Sequence, residues 1–226
     1  MNQVNCWICG QPANSREHRT KASDLRAQFK DVSQKSPVYL HTKARRNLQV
    51  GSIKKSSALK SEAPFCHDCN TTLTAPYDRA WEKLSEYLRT TTGLKKGSAI
   101  NLSRVFPGRT KQGMLHVHLF FVKLFGCAIQ ELGVPIDLEP FRVALLNGTA
   151  HPRVRIALGI TDTIVTGSSD LELASMNGRP AFATWFYVTG KIALNIMYVE
   201  PSERRKGLIG SWHPSTISKS LVLLGF

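Results

Sequence analysis

Residues 66–70 have the sequence CHDCN, and residues 6–10 have the sequence CWICG. Each segment places two cysteines three positions apart, a spacing at which a tight turn directs both thiolates at one metal ion. Gly10 directly follows the first pair and suits such a turn, because glycine tolerates a positive φ. We therefore predict a tetrahedral, structural Zn²⁺ site. Its predicted ligands are Cys6, Cys9, Cys66 and Cys69.

The chain between the two cysteine pairs is longer than in a simple zinc ribbon, so we expect it to contain structure of its own. The alternative interpretation is that the pairs are redox-active C-x2-C motifs or a coincidence of spacing. The fifth cysteine, Cys127, lies in an apolar stretch with a helical pattern. We predict that it is a buried core thiol.

The charge of the chain indicates an acidic partner. Lys and Arg number 30 against 16 Asp and Glu, which gives a formal net charge of +14. The excess is concentrated in residues 16–60, where 12 basic residues accompany 3 acidic ones. A protein this basic most often binds nucleic acid, and the alternative is a soluble protein that is cationic without a nucleic-acid partner.

The loop between the cysteine pairs contains residues 15–19, with the sequence SREHR. An acidic residue next to a histidine, followed by C-x2-C-N and framed by an earlier C-x2-C, resembles the HNH (ββα-metal) nuclease superfamily. It is similar to the zinc-containing, treble-clef branch, which includes phage Holliday-junction-resolving endonucleases and several rare-cutting restriction enzymes. The resemblance extends over about residues 1–90 and no further.

This resemblance implies metal-dependent hydrolysis of phosphodiester bonds in DNA. Glu17 and the amide oxygen of Asn70 would bind a catalytic Mg²⁺ or Mn²⁺ ion, because hard cations prefer oxygen ligands. His18 would be the general base that activates water. Asp78 is a candidate third oxygen ligand, although an acid at that position also suits a helix N-terminus. Restriction or anti-phage defence is the biological setting that the family suggests.

Several positions keep a second interpretation. Asn70 could simply cap the helix that follows it. Glu17 and His18 are adjacent and would point to opposite faces of a regular strand, so the chain must turn there to bring both to one site. Asn47 is either the middle asparagine of the family motif or a turn residue. His41 and His67 are alternative candidates for the base.

Nucleic-acid contacts are expected from basic residues on either side of the candidate site. They are Arg16, Arg19, Lys21, Lys43, Arg45, Arg46, Lys54 and Lys55. DNA is the partner implied by the resemblance, and phosphate contacts alone do not distinguish DNA from RNA. A non-catalytic zinc-finger protein that binds nucleic acid is the main alternative, and an RNA-directed nuclease is a further one.

The predicted fold class is α+β, with two units. Residues 1–92 would form the zinc-bound treble-clef nuclease module, with a short helix in 20–30, strands at 37–41 and 46–50, and a helix over 78–88. After a linker at 90–97, residues 98–226 would form an α+β domain with helices at 114–132 and 139–147. Its antiparallel sheet is predicted from five strands, at 154–160, 163–166, 171–174, 181–188 and 192–199.

The sequence of the second unit, residues 98–226, shows no resemblance that indicates a family. It could bind nucleic acid, sense a ligand or form a homodimer, and its candidate contacts are Arg153, Arg155, Arg179, residues 204–206, Trp185, Phe186 and Trp212. The chain starts without the pattern of a secretory signal, and its longest apolar stretch is interrupted by charged and histidine residues. We therefore expect a cytoplasmic protein with no membrane partner.

Overall fold

The computed structural model describes residues 3–42 and 46–226, which form a mixed α/β structure with mainly antiparallel sheets. The helices are α1 (Ala22–Phe29), α2 (Ala75–Thr90), α3 (Leu102–Val105), α4 (Thr110–Leu132) and α5 (Glu139–Asn147). The strands are β1 (Val38–Leu40), β2 (Leu48–Val50), β3 (Ala99–Asn101), β4 (Val154–Ser168), β5 (Glu172–Met176), β6 (Arg179–Val199), β7 (Ser220–Val222) and β8 (Leu224–Gly225).

The cysteine-containing half has the predicted succession of elements. Helix α1 is followed by the antiparallel pair β1–β2, and helix α2 begins shortly after the second cysteine pair. Residues 51–61, for which the sequence leaves a mobile loop or a hairpin open, contain one short 3₁₀ turn at Ser57–Leu59. Segment 15–18 is extended and forms two isolated bridges, Ser15 with Phe65 and His18 with Lys60.

The large sheet has the order β5–β6–β4–β8. The sequence predicts five strands, whereas two long strands, β4 and β6, each span two of the predicted segments. The predicted break at 161–162 is a bulge, since four residues of β4 lie opposite the single Lys191 of β6. The bulge accommodates the turn-forming residues without interrupting the strand. At the same place Gly190 adopts a φ of +60°.

Helix α4 lies at the centre of the molecule. It is long and apolar enough to cross a bilayer by length and composition, but 78% of its most apolar window is buried inside the protein. A helix covered by its own fold in this way is typical of a buried core helix. It packs on α2 and α5, and it contacts the long strand β6.

The two halves share one hydrophobic core. The same cluster of buried side chains contains Phe65 and Trp81 from the cysteine-containing half and Phe121 and Tyr187 from the other half. Gly126 of α4 allows one of the closest approaches, because a Cβ atom there would collide with the indole of Trp7 in the first cysteine turn. The predicted boundary between the two units, near residues 92–98, therefore lies in a connecting turn. Side chains from both sides of this turn pack in the same core.

Candidate functional site

The four predicted zinc ligands converge on one point. The Sγ atoms of Cys6, Cys9, Cys66 and Cys69 all lie within 4.8 Å of one another. All four residues are free cysteines, and three of them are buried. Four sulfur atoms at this separation fit a tetrahedral Zn²⁺ with Zn–S bonds of about 2.3 Å. The structure therefore supports the predicted ligand set and the choice of metal.

Local backbone geometry explains how the sulfur atoms come together. The carbonyl of Cys6 accepts a 2.9 Å hydrogen bond from the amide of Gly10, whose φ is +76°. In the second pair, the amide of Cys69 donates to the Sγ atom of Cys66 at 3.3 Å. Burial and the neighbouring thiols raise the pKa of Cys69, so a cation is needed to stabilise clustered thiolates here.

The imidazole of His18 is held from one side. Its Nε2 atom lies 3.1 Å from the carbonyl oxygen of Ile53, and because a carbonyl only accepts, Nε2 carries the proton. None of the described residues hydrogen-bonds the other ring nitrogen, Nδ1. The side chain is half-buried. The ring is therefore held by one nitrogen, and the other has no partner among the described residues.

Asn70 lies beside the same segment. Its Nδ2 atom donates to the hydroxyl of Ser15 at 2.9 Å and to the carbonyl of Arg16 at 3.3 Å. These bonds place the Asn70 side chain next to the backbone that leads into Glu17. Glu17 and His18 lie in an extended segment, and their side chains have separate partners. The turn that would direct both side chains at one site is therefore not observed. The alternative role as a side-chain helix cap finds no support, since α2 begins at Ala75 without such a bond.

The carboxylates of Glu17 and Asp78 both contact one lysine, which is not among the predicted site residues. The Nζ atom of Lys123, from the middle of α4, lies 2.8 Å from Oε2 of Glu17 and 2.7 Å from Oδ1 of Asp78. The lysine side chain is fully buried, and Glu17 is 5% exposed. Burial alone would lower the pKa of Lys123, but the two carboxylates raise it above its ordinary value. The ammonium is therefore charged.

This arrangement does not fit a divalent cation at Glu17. Both carboxylate oxygens of Glu17 already have partners. Oε1 accepts a hydrogen bond from the backbone N–H of His18, and Oε2 accepts one from the ammonium of Lys123. The second oxygen of Asp78 lies 3.2 Å from the ammonium of Lys21. Among the described residues, the four cysteines form the only cluster of three or more histidine, cysteine or carboxylate ligands. The only signal for Lys123 in the sequence is one lysine within an apolar helix.

The predicted nucleic-acid contacts divide into two groups. Arg16 pairs with Glu62, Arg19 pairs with Glu131, and Lys21 lies near Asp78. Arg16 is exposed although it is paired, whereas the other exposed members have no carboxylate partner among the described residues: Arg46, Lys54 and Lys55. Lys43 and Arg45 lie outside the described residues. The exposed group is the better candidate for phosphate contacts, because its charges are not already matched by a carboxylate.

The two alternative histidines lie at the surface, and the fifth cysteine lies in the core. His41 and His67 are exposed, and the Nδ1 atom of His41 accepts a long, 3.5 Å bond from the amide of Asn47. Asn47 itself has a φ of +55°, which is the conformation of a turn residue. Cys127 is a buried core residue, 3% exposed, and burial raises its pKa.

Side chains of the second half that the sequence offers for base stacking are largely internal. Trp185 and Trp212 are buried in the core. Arg153 forms an ion pair with Glu200, and Arg155 donates to the hydroxyl of Ser211. The two tryptophan rings are therefore inaccessible to nucleic acid, whereas the two arginines have protein partners but are only half-buried.

Comparison with protein-family models, with curated proteins and with solved structures finds no match for this chain.

Proposed function

We propose that this chain is an HNH-like endonuclease that hydrolyses phosphodiester bonds, with DNA as its substrate. The observation that carries the proposal is the orientation of His18. The Ile53 carbonyl accepts from Nε2, so Nδ1 of this half-buried ring is left without a partner among the described residues and is the nitrogen that would accept a proton.

In the proposed reaction, Nδ1 of His18 takes a proton from a water molecule as the water oxygen attacks the scissile phosphorus. The bond from phosphorus to one sugar oxygen breaks, and that oxygen leaves as an alkoxide that solvent water protonates. The Asn70 amide orients the backbone next to this histidine through its bonds to Ser15 and Arg16. The zinc-bound cysteines anchor both ends of the loop that carries the base. The resemblance also implies Mg²⁺ or Mn²⁺ at Glu17 and Asn70, and this part of the proposal requires Glu17 to leave Lys123.

Substrate binding is assigned to the exposed cations of the same half, Arg46, Lys54 and Lys55. Lys54 and Lys55 directly follow Ile53, the residue that contacts the His18 ring, and Arg46 lies on the other side of strand β2. Contacts to phosphate supply affinity without distinguishing DNA from RNA. A cytoplasmic location and a homodimer that cuts both strands belong to the same proposal.

The second candidate is a zinc-stabilised protein that binds nucleic acid without hydrolysing it. The specific observation in its favour is the Lys123 ammonium, which occupies Glu17 and Asp78 and makes them part of the interior charge balance. A binding protein would retain the zinc site and the exposed cations but would have no use for a free Nδ1 atom on His18.

A cleavage assay distinguishes the two functions. The zinc-loaded wild type is incubated with supercoiled plasmid, single-stranded DNA and RNA, in Mg²⁺, Mn²⁺ or EDTA. We expect nicking or linearisation that is lost in His18→Ala and retained in the control His41→Ala, an exposed histidine of the same half. Equal cleavage by His18→Ala would remove this residue from the reaction, and binding without cleavage by any form would favour the second candidate.

A further inference from the structure

We propose that the ammonium of Lys123 is the resident cation of the Glu17–Asp78 pair and excludes a divalent metal from Glu17 in this fold. Its relevance to catalysis rests on the proposed nuclease function, since Glu17 is the metal ligand that the resemblance implies. The inference itself concerns metal binding, so it is tested without any measurement of cleavage.

The buried pair has a cation without any metal. Lys123 donates to both carboxylates, and its Nζ atom also lies 3.5 Å from the hydroxyl of Thr74. Lys21 lies 3.2 Å from Asp78 and 3.6 Å from the partly exposed Glu82, so its charge is shared between two carboxylates. A divalent ion added to the buried pair would meet the ammonium of Lys123 at close range.

The coordination needs of Mg²⁺ are also unmet. This ion requires near-octahedral oxygen ligands at about 2.0–2.1 Å and usually keeps several waters. The Lys123 side chain has no solvent exposure, and that of Glu17 has 6%, so the space around the carboxylate oxygen is filled by protein. A metal could enter only after the ammonium had left.

The fold resists that departure. Lys123 projects from the middle of α4, the most buried helix, and its Nζ atom lies 5.4 Å from the centre of the Phe120 ring. About two turns further along the same helix, the carboxylate of Glu131 accepts hydrogen bonds from Arg19 and from the hydroxyl of Ser61. Helix α4 thus holds segment 17–19 at two points, and displacing Lys123 would leave charges buried without partners.

The consequence is that the second half of the chain controls the candidate site of the first. While α4 is packed against segment 17–19, the charge of Glu17 is balanced by Lys123. A metal-dependent reaction at Glu17 would then require a conformational change that separates Lys123 from it. The lysine therefore acts as a built-in competitor for the metal.

The proposal is tested by measuring Mn²⁺ binding to the zinc-loaded full chain. The methods are electron paramagnetic resonance, which detects the free Mn²⁺, and titration calorimetry. We expect no saturable site at Glu17 in the wild type. Lys123→Met should gain one Mn²⁺ per chain, bound at least about tenfold more tightly than any residual Mn²⁺ on the wild type. The gain should disappear in the double variant Lys123→Met, Glu17→Gln. Lys111→Met, the same change at an exposed position of α4, should behave like the wild type.

Two outcomes would overturn the proposal. One is a folded Lys123→Met variant that binds Mn²⁺ no more tightly than the wild type. The other is a wild type that binds one Mn²⁺ ion and loses it in Glu17→Gln, a comparison that remains informative if Lys123→Met fails to fold. Absence of cleavage in every form would instead count against the proposed nuclease function and leave the metal-binding result unchanged.

Discussion

The hydroxyl of Tyr187 donates a 2.6 Å hydrogen bond to the carboxylate of Asp24, which joins helix α1 of the cysteine-containing half to strand β6. Asp24 is fully buried. The same carboxylate accepts the indole N–H of Trp81 at 2.7 Å and the guanidinium of Arg89 at 2.7 Å. One buried anion therefore fixes three elements, α1, α2 and β6, against one another.

Asp24→Ala should lower the free energy of unfolding by about 3–5 kcal/mol, because it leaves a guanidinium and two buried donors without their partner. For a chain of this size we expect the Tm to fall by roughly 6–20 °C. Thermal unfolding followed by circular dichroism measures the effect. The control Asp31→Ala removes an exposed carboxylate and should change the stability little. Equal melting of the two variants would show that the buried network contributes no stability.

Cys66→Ser should abolish zinc binding and destabilise the cysteine-containing half, because the metal joins its two ends. Elemental analysis of the purified protein should find about one zinc per chain in the wild type and less in the variant. Cys127→Ala is the matched control, since this thiol lies in the core away from the four-cysteine cluster. A full zinc content in Cys66→Ser would contradict the assigned ligand set.

Stability should fall as the pH is lowered from about 6.5 towards 4. Burial lowers the pKa of His151 to about 4, with Arg153 and His213 adding to the effect, and burial also places the pKa of His118 well below its ordinary value. Above pH 6.5 both states of the protein hold these rings neutral. Below it, the unfolded chain binds protons that the folded state rejects, which costs about 1.4 kcal/mol per pH unit for each histidine.

Urea unfolding at a series of pH values checks this dependence. His151→Gln should have a shallower decline than the wild type between pH 6.5 and 4, because one proton fewer is taken up on unfolding. Burial also lowers the pKa values of His116 and His213, so part of the decline should remain. His41→Gln, an exposed position, should retain the wild-type slope. If the three slopes coincide, the buried histidines do not control the acid sensitivity.

Nucleic-acid binding should weaken steeply with salt, and Lys54 and Lys55 should account for part of that dependence. For the double variant Lys54→Ala, Lys55→Ala we expect weaker binding and a log–log salt slope reduced in magnitude by about 2, since each duplex phosphate contact contributes about 0.9. Fluorescence anisotropy with labelled duplex DNA gives the slope. Lys111→Ala removes one exposed charge from α4 and is the control. Salt-independent binding of the wild type would indicate that the basic composition is incidental.

Local properties of this chain were determined by its sequence. The C-x2-C spacing identified the four cysteines that the fold brings together, because each turn depends only on neighbouring residues. The apolar periodicity placed α2, α4 and α5, and the β-branched and aromatic segments placed the sheet. Two of the four predicted breaks in that sheet, at 161–162 and 189–191, were wrong, since a bulge and a positive-φ glycine allow a long strand to continue through turn-forming residues.

The partners of the buried charges were decided only by the tertiary structure. Glu17 and Lys123 are 106 residues apart, and Asp24 and Tyr187 are 163 apart, so no local pattern connects them. An isolated carboxylate has the same appearance in a sequence whether it binds a metal or an ammonium. The docking of α4 makes that choice, because a buried carboxylate must be neutralised by whichever cation the fold places within reach.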